Sequence, residues 1–131
     1  DEKWSLKLGQ GKLQDIELIS QMGILLSNEN ISGVHSGLTN LNKLKKICAE
    51  DLNYLINTYE LLIRVQILSK LLLKDDIKDR ELGANGKDIL FKYTDTSSIP
   101  SLIEKIAEMT NKSATIISNI LPNPKEVYDE R

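Results

Sequence analysis

Apolar residues recur at steps of three and four along most of the chain, most densely from Leu52 to Lys74. This spacing predicts an α-helix. Further apolar positions leave the stretch almost no polar face, which is typical of a helix with neighbours on several sides. Glu60, Arg64 and Gln66 interrupt it, so a membrane span is not expected. We predict that this stretch is the central buried helix, with Asn57-Thr58 as the point where it would break.

The same spacing predicts helices on both sides of the central one. They span about 11–26, 31–47, 76–93 and 98–121, and Cys48 to Asp51 would begin the central helix. Period-two alternation is absent over any useful length, so the fold class is all-α, a compact bundle of five to six helices. The expected inward positions are Leu13, Ile16, Ile19, Met22 and Ile24; Val34, Leu38, Leu41, Leu44 and Ile47; Ile77, Leu82, Ile89, Leu90 and Tyr93; and Leu102, Ile103, Ile106, Met109, Ile116, Ile117 and Ile120.

Local signals refine these helices. The polar turn 27–30 offers Asn and Ser side chains that can cap the second helix. Gly37 lies on the apolar face of that helix and would permit close approach of a neighbour. Gly83 and Gly86 weaken the middle of the fourth helix, where a break is an open alternative. Residues 95–98 offer caps for the last helix, and Pro100 suits its first turn.

A chain of 131 residues fits one domain with a real core. We predict a leader over 1–10, a single helical domain over 11–121 and a polar tail over 122–131. The chain begins at Asp1 without a methionine, which fits either a fragment of a longer protein or a processed form. The net charge of −2 argues against direct binding of nucleic acid.

The sequence offers little material for catalysis. His35 is the single histidine, so metal sites and histidine-based triads lack their parts, and we expect a surface or boundary residue. Cys48 is the single cysteine and is expected to be small and buried at a helix junction. Gly83 to Lys87 lacks the strand and the Ser or Thr that a phosphate loop needs. We predict no enzyme, with no catalytic, cofactor-binding or metal-binding residues.

Two sequons, beginning at Asn30 and Asn111, are interpreted as accidents of an Asn- and Ser-rich composition. Their use as glycosylation sites would require passage through a secretory compartment. The sequence does not decide between these alternatives.

Several segments occur in an order that resembles a known helical module. They are Leu13-Gln14-Asp15-Ile16, the turn 27–30, the leucine repeat ending in Leu44-Lys45-Lys46-Ile47, the apolar central segment, and 88–93 with the sequence Asp-Ile-Leu-Phe-Lys-Tyr. The chain over 13–93 is similar to the module shared by the N-terminal domain of the elongation factor TFIIS and the integrase-binding domain of lens-epithelium-derived growth factor. The helix at 98–121 lies outside this resemblance.

The resemblance implies a nuclear protein-interaction module of transcription and chromatin assemblies, which binds short disordered segments of other proteins through loops between helices. In the closest relatives the first such loop holds an apolar residue, an acidic residue and Asn. Here Leu26, Ser27 and Asn28 match, and Glu29 would have to supply the acidic group. The family's basic cluster is reduced to Arg64 and Lys70. The implied partner-binding residues are Leu26, Ser27, Asn28, Glu29, Ile31, Lys70, Lys74 and Ile77.

A second interpretation comes from the apolar content itself. The central helix or the amphipathic last helix could be shared between two copies in a homodimer. The abundance of Lys, Asn and Ile would then fit a secreted or surface protein of microbial or parasite origin. The oligomeric state in solution separates this alternative from the peptide-binding one.

Overall fold

A computed structural model describes residues 10–73 and 84–121, with side chains described over 13–70 and 86–121. Five α-helices lie in these ranges, and no strand does, so the predicted all-α class is confirmed. They are α1 (Gln10–Leu25), α2 (Val34–Lys43), α3 (Ala49–Leu73), α4 (Ala84–Thr94) and α5 (Ile99–Ile120). The expected positions Ile77 and Leu82, the leader up to residue 9 and the tail 122–131 lie outside the described residues.

Helix α3 is the centre of the described bundle. It packs against α1, α2, α4 and α5, as the nearly uniform apolar content of this segment predicts. Leu55, Leu61, Leu62 and Val65 are buried on different sides of it. The helix runs without interruption from Ala49 to Leu73, so the predicted break near Asn57-Thr58 is wrong. Thr58 is accommodated because its hydroxyl donates to the carbonyl oxygen of Tyr54, one turn earlier (3.0 Å).

Helix α2 is shorter than predicted. Its N-cap is Gly33, with φ 90° and ψ 155°, a region that favours glycine. The expected caps from the turn 27–30 are therefore wrong, and Ile31 lies before the helix. The helix ends at Lys43, and Lys45, with φ 62°, turns the chain towards α3. Ile47 is buried as expected, although it lies beyond the helix.

Three expected inward positions prove to be exposed. Leu44 is the C-cap of α2 and is 43% exposed. On α4, Ile89 and Tyr93 are 40% and 52% exposed, and the buried face carries Leu90 and Thr94 instead. Thr94 can lie in the interior because its hydroxyl donates to the carbonyl oxygen of Leu90 (2.8 Å). Gly86 lies in the first turn of α4, which continues without a break to Thr94. The alternative of a break at Gly83 lies outside the described residues.

The beginning of α5 follows the sequence signals closely. Ser98 is the N-cap, its hydroxyl accepts from the N–H of Ser101 (3.2 Å), and Pro100 lies in the first turn. Leu102 and Ile106 are almost completely buried. The helix thereby covers α1 and α3 with its apolar side, and the predicted helix at 98–121 is confirmed.

Candidate functional site

The segment between α1 and α2 forms one wall of an open groove with a volume of about 370 Å³. The second wall is the outer face of α2. The groove therefore lies where an exposed loop meets an amphipathic helix. Its lining residues are Leu26, Ser27, Asn28, Glu29, Ile31, His35, Ser36, Thr39, Asn40, Lys43 and Leu44.

Local hydrogen bonds give the loop wall its shape. The hydroxyl of Ser27 accepts from the N–H of Glu29 (3.0 Å) and lies 3.1 Å from the Glu29 carbonyl oxygen. The N–H of Ile31 donates to the same carbonyl (3.0 Å). Side-chain hydroxyls of Ser commonly stabilise such turns in this way. The loop is thus a defined turn rather than an extended connection.

The helix wall is held by direct contact between α1 and α2. The side-chain amide of Asn40 donates to the carbonyl oxygen of Gly23 (2.8 Å), and the hydroxyl of Ser20 donates to that of Val34 (2.9 Å). A Cβ atom on Gly37 would lie 2.1 Å from the Ser20 carbonyl oxygen. The predicted close approach at Gly37 is confirmed, and it fixes the position of α2 beside the loop.

Apolar and charged groups lie together in the groove. Leu26 and Leu44 are 47% and 43% exposed and provide an apolar surface. Lys43 supplies a positive charge, and the N-terminus of α2 adds the positive end of a helix dipole. Glu29 is the acidic residue of the lining. The groove can therefore accept an apolar side chain together with a polar or anionic neighbour.

The structure brings five of the eight predicted partner-binding residues into this groove. They are Leu26, Ser27, Asn28, Glu29 and Ile31.

Among the remaining predicted site residues, Lys70 does not line the groove. Lys70 lies on the exposed side of α3, one turn beyond Ile67. Lys74 and Ile77 lie outside the described residues. The sequence-based site is therefore divided between two parts of the molecule in the described structure.

The sequence reasoning missed the contribution of α2. His35, Thr39 and Lys43 follow one another at steps of four, and Ser36, Asn40 and Leu44 form the adjacent row. Residues four apart share a helix face. A polar face at this spacing, directly after a candidate loop, was the available signal for a second wall.

His35 connects the groove to a neighbouring surface on α3. Its side chain is 54% exposed, as expected for a surface residue, and its Nε2 lies 3.5 Å from Oε1 of Glu60. Its ring meets the ring of Tyr59 edge-on, with 6.5 Å between centroids. Burial, followed by the nearby Glu17 carboxylate, raises the pKa of Tyr59 above its ordinary value.

The expectation that Cys48 is buried is wrong. The side chain is exposed, and the residue directly precedes α3. Its carbonyl oxygen accepts from the N–H of Leu52 (2.9 Å), and its sulfur lies 3.4 Å from the N–H of Asp51. The residue acts as a cap for the central helix, which explains its place at the junction without burial.

Within 10–73 and 84–121, no group of three or more His, Cys, Asp or Glu side chains is placed to bind a metal ion. None of the helices in these ranges combines the length and apolar character needed to cross a lipid bilayer.

Comparison with known proteins gives no match to a family model, to a curated protein or to a solved structure. The resemblance to the TFIIS-type module therefore remains a prediction from the sequence.

Proposed function

We propose that this chain is a non-enzymatic protein-interaction module that binds a short linear peptide segment of a partner protein. The observation that supports the proposal is the groove between the 26–31 loop and α2, because it contains the loop that the sequence selects for binding. Open grooves beside helices bind peptides through one or two anchor side chains that provide most of the binding free energy.

The lining suggests the chemistry of the peptide. An apolar or aromatic anchor would lie against Leu26 and Leu44, which are exposed apolar residues on opposite walls. A carboxylate next to the anchor would be favoured by Lys43, which directly precedes Leu44 in the last turn of α2. Glu29 would disfavour a second carboxylate on the loop side. The proposed ligand is thus a segment with one large apolar residue and an acidic neighbour.

The cellular setting of the proposal depends on the sequence resemblance alone. A TFIIS-type module would act in transcription or chromatin assemblies in the nucleus, with other proteins rather than nucleic acid as direct partners. The groove is equally suited to a peptide from another compartment. The biochemical proposal therefore stands independently of the location.

The test is a peptide titration followed residue by residue. Synthetic peptides with a central Phe or Leu flanked by Asp or Glu are added to the isotopically labelled chain, and amide shifts are recorded. We expect saturable shifts at 26–31 and along α2. Matched peptides with Ala in place of the anchor should bind at least about tenfold more weakly, because the anchor provides most of the free energy.

Two variants serve as a matched pair. Leu44→Glu places a charge in the groove and should abolish binding. Ile67→Glu changes an equally apolar residue that is 52% exposed on α3, and it should leave binding intact. The proposal fails if no anchored peptide shifts the groove residues, or if both variants bind alike.

A further inference from the structure

A second surface of the molecule is an apolar cleft between α3 and α4, with a volume of about 340 Å³. Tyr59, Ile63 and Ile67 follow one another at steps of four on α3, and Tyr93 faces them from α4. Ile67 and Tyr93 are each 52% exposed. Exposed apolar side chains of two helices thus lie next to each other in this cleft.

Two opposite charges lie in the same cleft, four residues apart on α3. Glu60 is exposed beside His35, and Arg64 donates to the carbonyl oxygen of Tyr93 (Nη1 to O, 3.1 Å). Ile63 lies between them in the sequence. The cleft therefore carries one acid and one base around an apolar centre, and it favours neither an acidic nor a basic ligand.

We propose that this cleft binds a second copy of the chain, with α3 of the two copies antiparallel about a two-fold axis near Ile63. A two-fold axis makes each contact occur twice and requires a self-complementary surface. Along the helix, at about 1.5 Å per residue, Glu60 lies about 4.5 Å to one side of Ile63 and Arg64 about 1.5 Å to the other. With this axis, Glu60 and Arg64 of the partner subunit are offset by only about 3 Å along the helix direction.

The two-fold arrangement accounts for both the apolar row and the two opposite charges of the cleft. The apolar row of Tyr59, Ile63 and Ile67 meets the same row of the second copy, and the two ion pairs border it. Ile89, 40% exposed one turn before Tyr93 on α4, extends the apolar area. The peptide groove and the cleft are neighbouring surfaces, because His35 of the groove lies 3.5 Å from Glu60 of the cleft.

The charges provide the first test. Sedimentation or light scattering over a concentration series should show the mass rising from 14.8 kDa towards twice that value. Glu60→Arg or Arg64→Glu alone places like charges opposite each other twice, and each should weaken the dimer by about tenfold or more. An equimolar mixture of the two variants restores both attractive pairs and should form a heterodimer with the parent affinity.

Cross-linking provides a second test that leaves the charges unchanged. In a Cys48→Ser background, Ile63→Cys places a thiol next to the same thiol of the second copy, and mild oxidation should give a disulfide-linked dimer. Leu44→Cys in the same background is the matched control, because Leu44 is exposed but lies in the groove, and it should remain uncross-linked.

Each outcome of these experiments either supports or overturns the dimer proposal. A parent chain that stays monomeric at every concentration overturns the proposal. So does a dimer that is insensitive to both charge variants, or an Ile63→Cys variant that cross-links no better than the Leu44→Cys control. Circular dichroism of each variant identifies any that do not fold, and the cross-linking result then decides. None of these outcomes decides the peptide-binding proposal, which has its own titration test.

Discussion

At the scale of single residues, the contact between α1 and α2 depends on two glycines. A Cβ on Gly23 would lie 2.0 Å from the carbonyl oxygen of Gly37, and a Cβ on Gly37 would lie 2.1 Å from that of Ser20. In both cases the obstructing atom belongs to the backbone and cannot rotate away. The position of the α2 wall of the groove thus requires the absence of a side chain at both residues.

Gly37→Ala should therefore destabilise the chain. Alanine gains about 1 kcal/mol of helix propensity over glycine, but overpacking of a close contact costs about 1–3 kcal/mol, and a backbone obstruction belongs at the upper end. We expect a net loss of about 2 kcal/mol in the free energy of unfolding, measured by urea denaturation. Ser36→Ala, on the exposed side of the same helix, should gain about half a kcal/mol. A Gly37→Ala variant as stable as the parent would refute the contact.

At the scale of helices, α3 and α5 are joined by a polar pair inside the apolar interface. The hydroxyl of Ser113 donates to that of Thr58 (2.9 Å), which in turn donates to the carbonyl oxygen of Tyr54. Thr58 is 0% and Ser113 1% exposed. Because a buried hydroxyl needs a partner, the pair favours one register of α5 along α3 over a shift by a turn.

A double-mutant cycle tests this pair. Thr58→Val keeps the side-chain shape but leaves the Ser113 hydroxyl without its acceptor, which should cost about 1–3 kcal/mol. Ser113→Ala should cost about 1 kcal/mol, because Thr58 still donates to Tyr54. The double variant should lose less than the sum of the two, with a coupling of about 1 kcal/mol in thermal or urea unfolding. Strict additivity would show that the hydroxyls do not interact.

The helices also show what a hydrophobic pattern can predict. It located the five described helices and the central role of α3, because the buried positions of long helices repeat with the helical period. It placed the end of α2 too late in the sequence. Periodicity indicates which residues are buried, and Ile47 is buried although it lies beyond the helix. It predicted the wrong inward face for α4, because Thr94 is buried through a hydrogen bond that a hydrophobicity pattern does not include. This hydrogen bond lies within α4 itself, but a hydrophobic pattern counts Thr as polar and therefore assigns it to the outside.

At the scale of the whole molecule, two tyrosines couple stability to alkaline pH. Burial raises the pKa of Tyr54 and of Tyr59 above 10.0, and the Glu108 and Glu17 carboxylates add to the respective shifts. A folded-state pKa above the unfolded value means that the neutral phenol favours the folded state. This contribution is complete below about pH 10 and is lost as the pH rises through the folded-state values.

Replacing both phenols should therefore reduce the alkaline sensitivity. The Tyr54→Phe/Tyr59→Phe variant is expected to lose less of its free energy of unfolding between neutral pH and a pH above 10 than the parent does. Urea denaturation at the two pH values measures the difference. An equal loss in parent and variant would mean that neither phenol is shielded in the fold.

The candidate site was predictable only in part. The loop 26–31 was selected through the resemblance to the TFIIS-type module, which implies partner binding by the loop after the first helix. The α2 wall and the α3–α4 cleft could not be predicted, since each combines residues from separate elements whose relative rotation is decided by packing. Gly23 illustrates the difficulty, because its importance comes from a carbonyl group fourteen residues away.

Helix α3 contacts all four other described helices, and this limits where the chain can be divided into fragments. No cut between neighbouring helices yields a piece that keeps the middle helix fully covered. Two complementary fragments should each be poorly ordered alone and regain structure only on mixing. We therefore expect the five described helices to fold as one unit, so that a shorter version for laboratory use would have to retain all five.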